Sequence, residues 1–224
     1  RQIDINLGCP FPMIAGKHKG AGMLLYPAQV AEVLAPIAEY PEIQFSLKMR
    51  LGWENASECM VLVELLNALR LSRIALHART GKQQYKGHPD LEAFQGFYEL
   101  CQHPLYYNGG IESLSDIRQI LIRFPLLKGV FIGRGLLSSP LLAKEFKGNE
   151  TFLPEQRMSI YFAFHEELFS AYSQVLQGET QLLVKMKTLW EYFLPETDRK
   201  LLKRIKKSTR LQQYTESVKA IFTS

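Results

Sequence analysis

Three cysteines in 224 residues, Cys9, Cys59 and Cys101, are too few and too far apart for a disulfide framework or a zinc site. The chain has no run near the ~18 apolar residues that a membrane span needs, and no charged-then-apolar secretory pattern stands at its N-terminus. The expectation is a cytoplasmic monomer with reduced thiols, no membrane contact and no metal. Acidic residues are scarce at one end: residues 198–219 hold eight Lys/Arg against Asp198 and Glu216, while the whole chain carries only +5. Such a basic cluster suits either a solvated helix face or a polyanion-binding surface. Glycine is scarce there as well, Gly178 standing alone between residues 154 and 224. With no convincing strand pattern in that stretch, it reads as all helical, with Gly178 in a helix-helix turn.

Hydrophobic residues make up 46% and aromatics 11% of the chain, enough for one substantial core and a smaller second one. Before residue 149, short β-branched and aromatic runs alternate five times with segments of helical period. The runs at 3–6, 44–49, 73–77, 105–108 and 129–132 read as strands. The segments at 27–39, 56–70, 90–101, 113–123 and 138–146 read as helices. This is α/β repetition around a parallel sheet. In such folds chemistry gathers where the strands end, and the informative residues fall there. Asn6 and Cys9 follow the first strand, Lys48 and Arg50 end the second, and His77 and Arg79 end the third. "NGG" (108–110) and "GRG" (133–135) follow the last two.

Each of these groups has a plain structural alternative. Cysteine is usually a buried filler, but Cys9 sits in a turn between Gly8 and Pro10, whereas Cys59 and Cys101 occupy helical positions and read as core. Lys48 lies in "FSLKMR", where a strand covered on both faces is nearly all apolar. It is either one half of an ion pair or a cation aimed at an anionic ligand. His77 in "IALHART" offers the same choice between a structural hydrogen bond and a ligand contact. The glycines of "YYNGG" and "FIGRG" serve tight turns or let backbone N–H groups approach a phosphate. Two such loops on successive strands match the phosphate site that barrels build after their last strands.

Taken in order, "DINLGCP", "KGAG", "LKMRLGW", "HARTGKQQYKG", "YYNGG" and "IGRG" resemble the tRNA-dihydrouridine synthase family, FMN-dependent enzymes that reduce selected uridines of tRNA. The resemblance runs through nearly the whole chain. It implies a TIM-type (β/α)8 barrel, of which residues 1–148 supply the last five β/α units, followed by an all-α helical-bundle domain at 149–224 that binds tRNA. It also implies Cys9 as general acid, Asn6 and Arg50 as uracil contacts, Lys48 and His77 as flavin ligands, and Tyr85 and Lys86 near the entering RNA. Asn108, Gly110, Gly133 and Arg134 become FMN-phosphate contacts, and NADPH or NADH the reductant. Lys203, Arg204, Lys206 and Lys207 become the phosphate-binding surface for tRNA, on a helix docked by Leu201, Leu202 and Ile205. Five strands cannot close a barrel, so the expectation is a fragment, or numbering that begins inside a longer protein, without activity by itself. Two alternatives stay open: an FMN-dependent barrel oxidoreductase of a free small molecule related to dihydroorotate or dihydropyrimidine dehydrogenases, and a non-catalytic RNA-binding module.

Overall fold

Five parallel strands form one sheet in sequence order: β1 (Gln2–Leu7), β2 (Gln44–Gly52), β3 (Leu71–Thr80), β4 (Leu105–Asn108) and β5 (Gly129–Phe131). The computed structural model describes residues 1–223, and within them the sheet stays open. β2 shows why the layers form. Phe45, Leu47, Met49 and Leu51 alternate with Ser46, Lys48 and Arg50, so one side is wholly apolar and the other carries polar groups. The apolar side is roofed by helices. Phe94 of the helix Leu91–Leu100, for example, meets Tyr107 of β4 edge-on, with ring centroids 5.0 Å apart.

Register places the polar side in tiers. Asp4 pairs with Ser46 and Ser46 with Arg73; the Arg73 guanidinium reaches Asp4 at 2.8 Å. One step up, Asn6 pairs with Lys48, Lys48 with Ala75 and Ala75 with Tyr106. Nearest the C-terminal ends, Arg50, His77, Asn108 and Phe131 stand in one row. Paired residues of a parallel sheet project to the same side, so three separate sequence motifs share this row.

The connecting segments depart from single long helices. The expected helix at 27–39 breaks into Pro27–Leu34 and Pro36–Glu39, because Pro36 offers no N–H to the helical ladder and crowds the preceding turn. The segment at 56–70 forms Glu58–Val61 and Val63–Asn67, with a tight Leu62 N–H to Cys59 O bond at the join. Cys59 is buried, but Cys101 lies just past the end of its helix and is only half-buried, so it is not core as expected.

By contacts the chain divides into two compact units. The first is Arg1–Ile111 with Ser115–Ile132, and the second is Glu112–Leu114 with the chain from Gly133 onward. The sequence reading divides the chain after residue 148 instead. The helices Arg134–Ser138 and Leu142–Gly148 go with the second unit because Leu141 packs into its core, Glu145 pairs with Arg157, and Ser139 hydrogen-bonds Tyr161 at 2.7 Å. That core holds Tyr161, Met186, Trp190, Phe193, Ile205, Tyr214 and Val218. Its described elements are all helices, the longest being Pro154–Val175, and Gly178 opens the next helix at a positive φ of 83°. Among the described residues no helix is long and apolar enough to cross a membrane.

Candidate active site

β1 delivers Asn6, then Gly8 and Cys9. The Asn6 side-chain oxygen accepts the Gly8 N–H at 2.9 Å, which turns the chain out of the strand. Gly8 also makes room: a Cβ there would lie 2.9 Å from Lys48 Nζ and 3.4 Å from the Asn6 oxygen. Cys9 is half-buried and held by its backbone, since its carbonyl accepts the Ala21 N–H at 3.0 Å. It is an electrostatic neighbour of both Lys48 and Arg50, which places the three groups at one locus. Burial pushes Cys59 up to about 12 and raises Cys101, so neither is an acid for use near neutral pH.

Lys48 makes no ion pair among the described residues. Burial, and after it the neighbouring Arg50, lowers its pKa to about 8. A half-buried ammonium without a carboxylate has the chemistry to meet a negative charge.

Arg50 braces the loops around it. It is 1% exposed, and its Nε–H donates to Gly8 O at 3.1 Å while Nη1 donates to Thr80 O and Gln84 O, both at 2.8 Å. Three of its five N–H groups therefore tie the loop after β1 to the loop after β3. Tyr85 stacks over the same guanidinium, 5.6 Å from Cζ to the ring centroid, and stands 6.3 Å from the His77 ring. Lys86 follows it into solvent. The loop after β2 has a clamp of its own that sequence reasoning missed. Glu58 gathers the N–H groups of Trp53, Glu54 and Asn55 at 2.7 to 3.1 Å, which fixes Trp53, and any side chain at Gly81 would enter the Trp53 ring.

His77 is also placed by a residue outside the expected set. Arg79 Nη1 lies 3.2 Å from His77 Nε2. Arginine only donates, so in this contact Nε2 is the accepting atom. Arg79 stands two residues beyond His77 on the same strand, and that spacing was the available signal. Beside them Asn108 donates to Phe131 O at 2.7 Å. Gly109 and Gly110 adopt φ of 134° and 62°, and a Cβ on Gly109 would press on the His77 ring at 3.1 Å. Only glycine combines that backbone with that approach.

The sequence matches the family model described as "Dihydrouridine synthase (Dus)" over residues 1–223. The chain belongs to the dihydrouridine synthase family. It is 32% identical over 139 residues to a "Probable tRNA-dihydrouridine synthase" of Rhizobium leguminosarum bv. phaseoli, covering 62% of this chain and 44% of that protein. It is 36% identical over 149 residues to a "Probable tRNA-dihydrouridine synthase" of Aquifex aeolicus (strain VF5), covering 65% and 46%. "tRNA-dihydrouridine synthase B" of Vibrio vulnificus (strain CMCP6) is 27% identical over 157 residues, covering 68% and 48%. The chain thus spans about half the length of the curated relatives it matches.

Dihydrouridine synthases are of the TIM-barrel type, and the parallel β/α order observed here fits a part of such a barrel. The remaining expected residues of this family member lie in the second unit. Gly133 caps the short helix Arg134–Ser138, and a Cβ at Gly133 would meet nothing within 4 Å. The basic helix Arg199–Lys207 starts at Asp198, whose carboxylate accepts the N–H groups of Lys200 and Leu201 at 2.8 and 3.1 Å. Ile205 is buried, Leu201 and Leu202 pack against the same core, and Lys203, Arg204, Lys206 and Lys207 are exposed. Lys200, Lys203, Arg204 and Lys207 line a cleft of about 410 Å³ with Gln213 and Glu216 of the next helix.

Proposed function

We propose that this protein acts as a tRNA-dihydrouridine synthase, reducing the C5=C6 bond of a uridine in tRNA with FMN as cofactor and NADPH or NADH as reductant. The observation that carries the reading is one side of one sheet. In a member of this family, it collects Asn6, Lys48, Arg50, His77 and Asn108 at the strand ends, beside Cys9. The residues present fit FMN: the Lys48 ammonium, with no ion pair among the described residues, suits an anionic ring, and Gly109 and Gly110 leave a backbone approach for phosphate. Lys48, His77, Asn108 and Gly110 would hold it. When bound, FMN supplies the hydride chemistry.

The chain's own groups do the rest. Reduction at C6 leaves C5 needing a proton, and Cys9 holds that proton on Sγ. Asn6 orients the uracil edge, the Nη2 side of Arg50 contacts it, and Tyr85 and Lys86 line the approach of the RNA. The exposed cations of the second unit favour tRNA over a free pyrimidine, because a small substrate gives them nothing to bind. We assign the first unit to catalysis and the second to tRNA, in a cytoplasmic setting.

In the full-length protein, unmodified tRNA with NADPH should yield dihydrouridine by nucleoside mass spectrometry. The Lys203, Arg204, Lys206 and Lys207 to glutamine variant should bind tRNA more weakly, its log-log salt slope reduced by roughly 0.7 to 0.9 per lost contact, with flavin content unchanged. Turnover of free pyrimidines but not of tRNA would overturn the reading.

Lys48 supplies a pH prediction. Its folded pKa lies below the ordinary lysine value, so its charge is present below about pH 8 and lost above it. FMN affinity should therefore fall as pH rises through 8, and Lys48→Met should start weaker and show no such fall in a flavin-fluorescence titration. A parental pH profile in the variant would return Lys48 to a packing role.

A further inference from the structure

The short helix Pro12–Ala15 carries a surface that the chemistry above does not use. Phe11 is 65% exposed and Met13 76%, with Ile14 beside them at 40%. Three large apolar side chains left together in water mark a contact surface. The turn beneath them is well held: Ile14 N and Ala15 N both donate to Phe11 O at 2.9 Å, Ala15 is buried, and Gly22 packs directly on the Ala15 backbone.

Two observations say what fits there. No Asp or Glu occurs between residues 5 and 31, while Lys17 and Lys19 follow the apolar turn, so its flank attracts negative charge and repels none. Arg50 also ties this loop to the one bearing Tyr85, another large exposed aromatic of the site, at 55%. Phe11 lies three residues from the tie at Gly8, and Tyr85 one residue from the tie at Gln84. The occupant combines apolar flat faces with anionic links, which is the chemistry of single-stranded RNA.

We propose that Phe11, backed by Met13, is a stacking platform for the tRNA nucleotide adjacent to the one drawn into the site, with Lys17 and Lys19 meeting its phosphates. This rests on the functional reading above and adds a contact to it. Extruding a base strips its neighbour of a stacking partner, and an aromatic face two residues from Cys9 restores one whatever the neighbour's identity.

The test places an indole on the platform with Phe11→Trp in the full-length protein and titrates unmodified tRNA. Quenching of the added emission beyond that of the parent is expected, together with protection from acrylamide. Phe11→Ala should lower tRNA affinity about 5- to 150-fold with the salt slope unchanged, and Phe11→Tyr should recover most of it while Phe11→Leu recovers little. Parental affinity in Phe11→Ala with no added quenching would overturn this inference and leave the functional reading standing. An indole already shielded from acrylamide before RNA is added would show protein covering the surface, and would also overturn it. A parent that binds no tRNA would sink the functional reading and this inference with it.

Discussion

Cys9→Ala is expected to retain flavin and to oxidise NADPH, yet to form dihydrouridine some 10² to 10⁴ times more slowly than the parent, the range of a lost general acid. The effect should be confined to chemistry. Cys9 is held through its carbonyl to Ala21 N, and Gly20 leaves room for its Cβ, so alanine keeps every contact that shapes the loop. Only Sγ is removed. Cys9→Ser should fare little better, because a hydroxyl is a far weaker acid than a thiol. Dihydrouridine counted by mass spectrometry, against flavin absorbance of the same sample, separates the two properties. Formation at the parental rate in Cys9→Ala would end the assignment of Cys9 as the acid.

Removing Arg50 should do wider damage. Arg50→Ala strips charged donors from the carbonyls of Gly8, Thr80 and Gln84 at a position that is 1% exposed. A hydrogen bond to a charged group contributes about 1.5 to 3 kcal/mol; with loop relaxation returning part of it, a loss on the order of 3 kcal/mol is expected in denaturant unfolding. Flavin retention and dihydrouridine formation should fall together, since the loops carrying Cys9 and Tyr85 lose their common tie. Arg50→Lys decides between tie and charge. An ammonium keeps the charge but cannot present the planar fork that reaches carbonyls on two loops, so it should recover less than half of the lost stability. Full stability in Arg50→Lys, with unchanged hydrogen exchange in residues 80–88, would show that charge alone matters.

Sequence by itself determined the β/α alternation, because strand and helix periods are local properties. All five strands lie where the apolar runs put them, within a few residues at their ends, and β4 coincides with its expected bounds. It also determined the apolar side of the basic helix: Leu201, Leu202 and Ile205 recur at helical spacing, and Ile205 is buried. Helix continuity was less legible, although Pro36 carried the warning. Tertiary structure decided what each polar group at the strand ends does. The bonds of Arg50 run to carbonyls 42, 30 and 34 residues away, and no local pattern encodes partners at that range. The same holds for Gly81 flat against Trp53. Where the second unit begins was settled by Leu141 and by the pairing of Glu145 with Arg157, contacts that exist only after the long helix Pro154–Val175 has folded back onto residues that precede it. Local periodicity chooses the elements, while hydrogen-bond satisfaction in the folded interior chooses which side chains brace loops and which remain to meet a ligand.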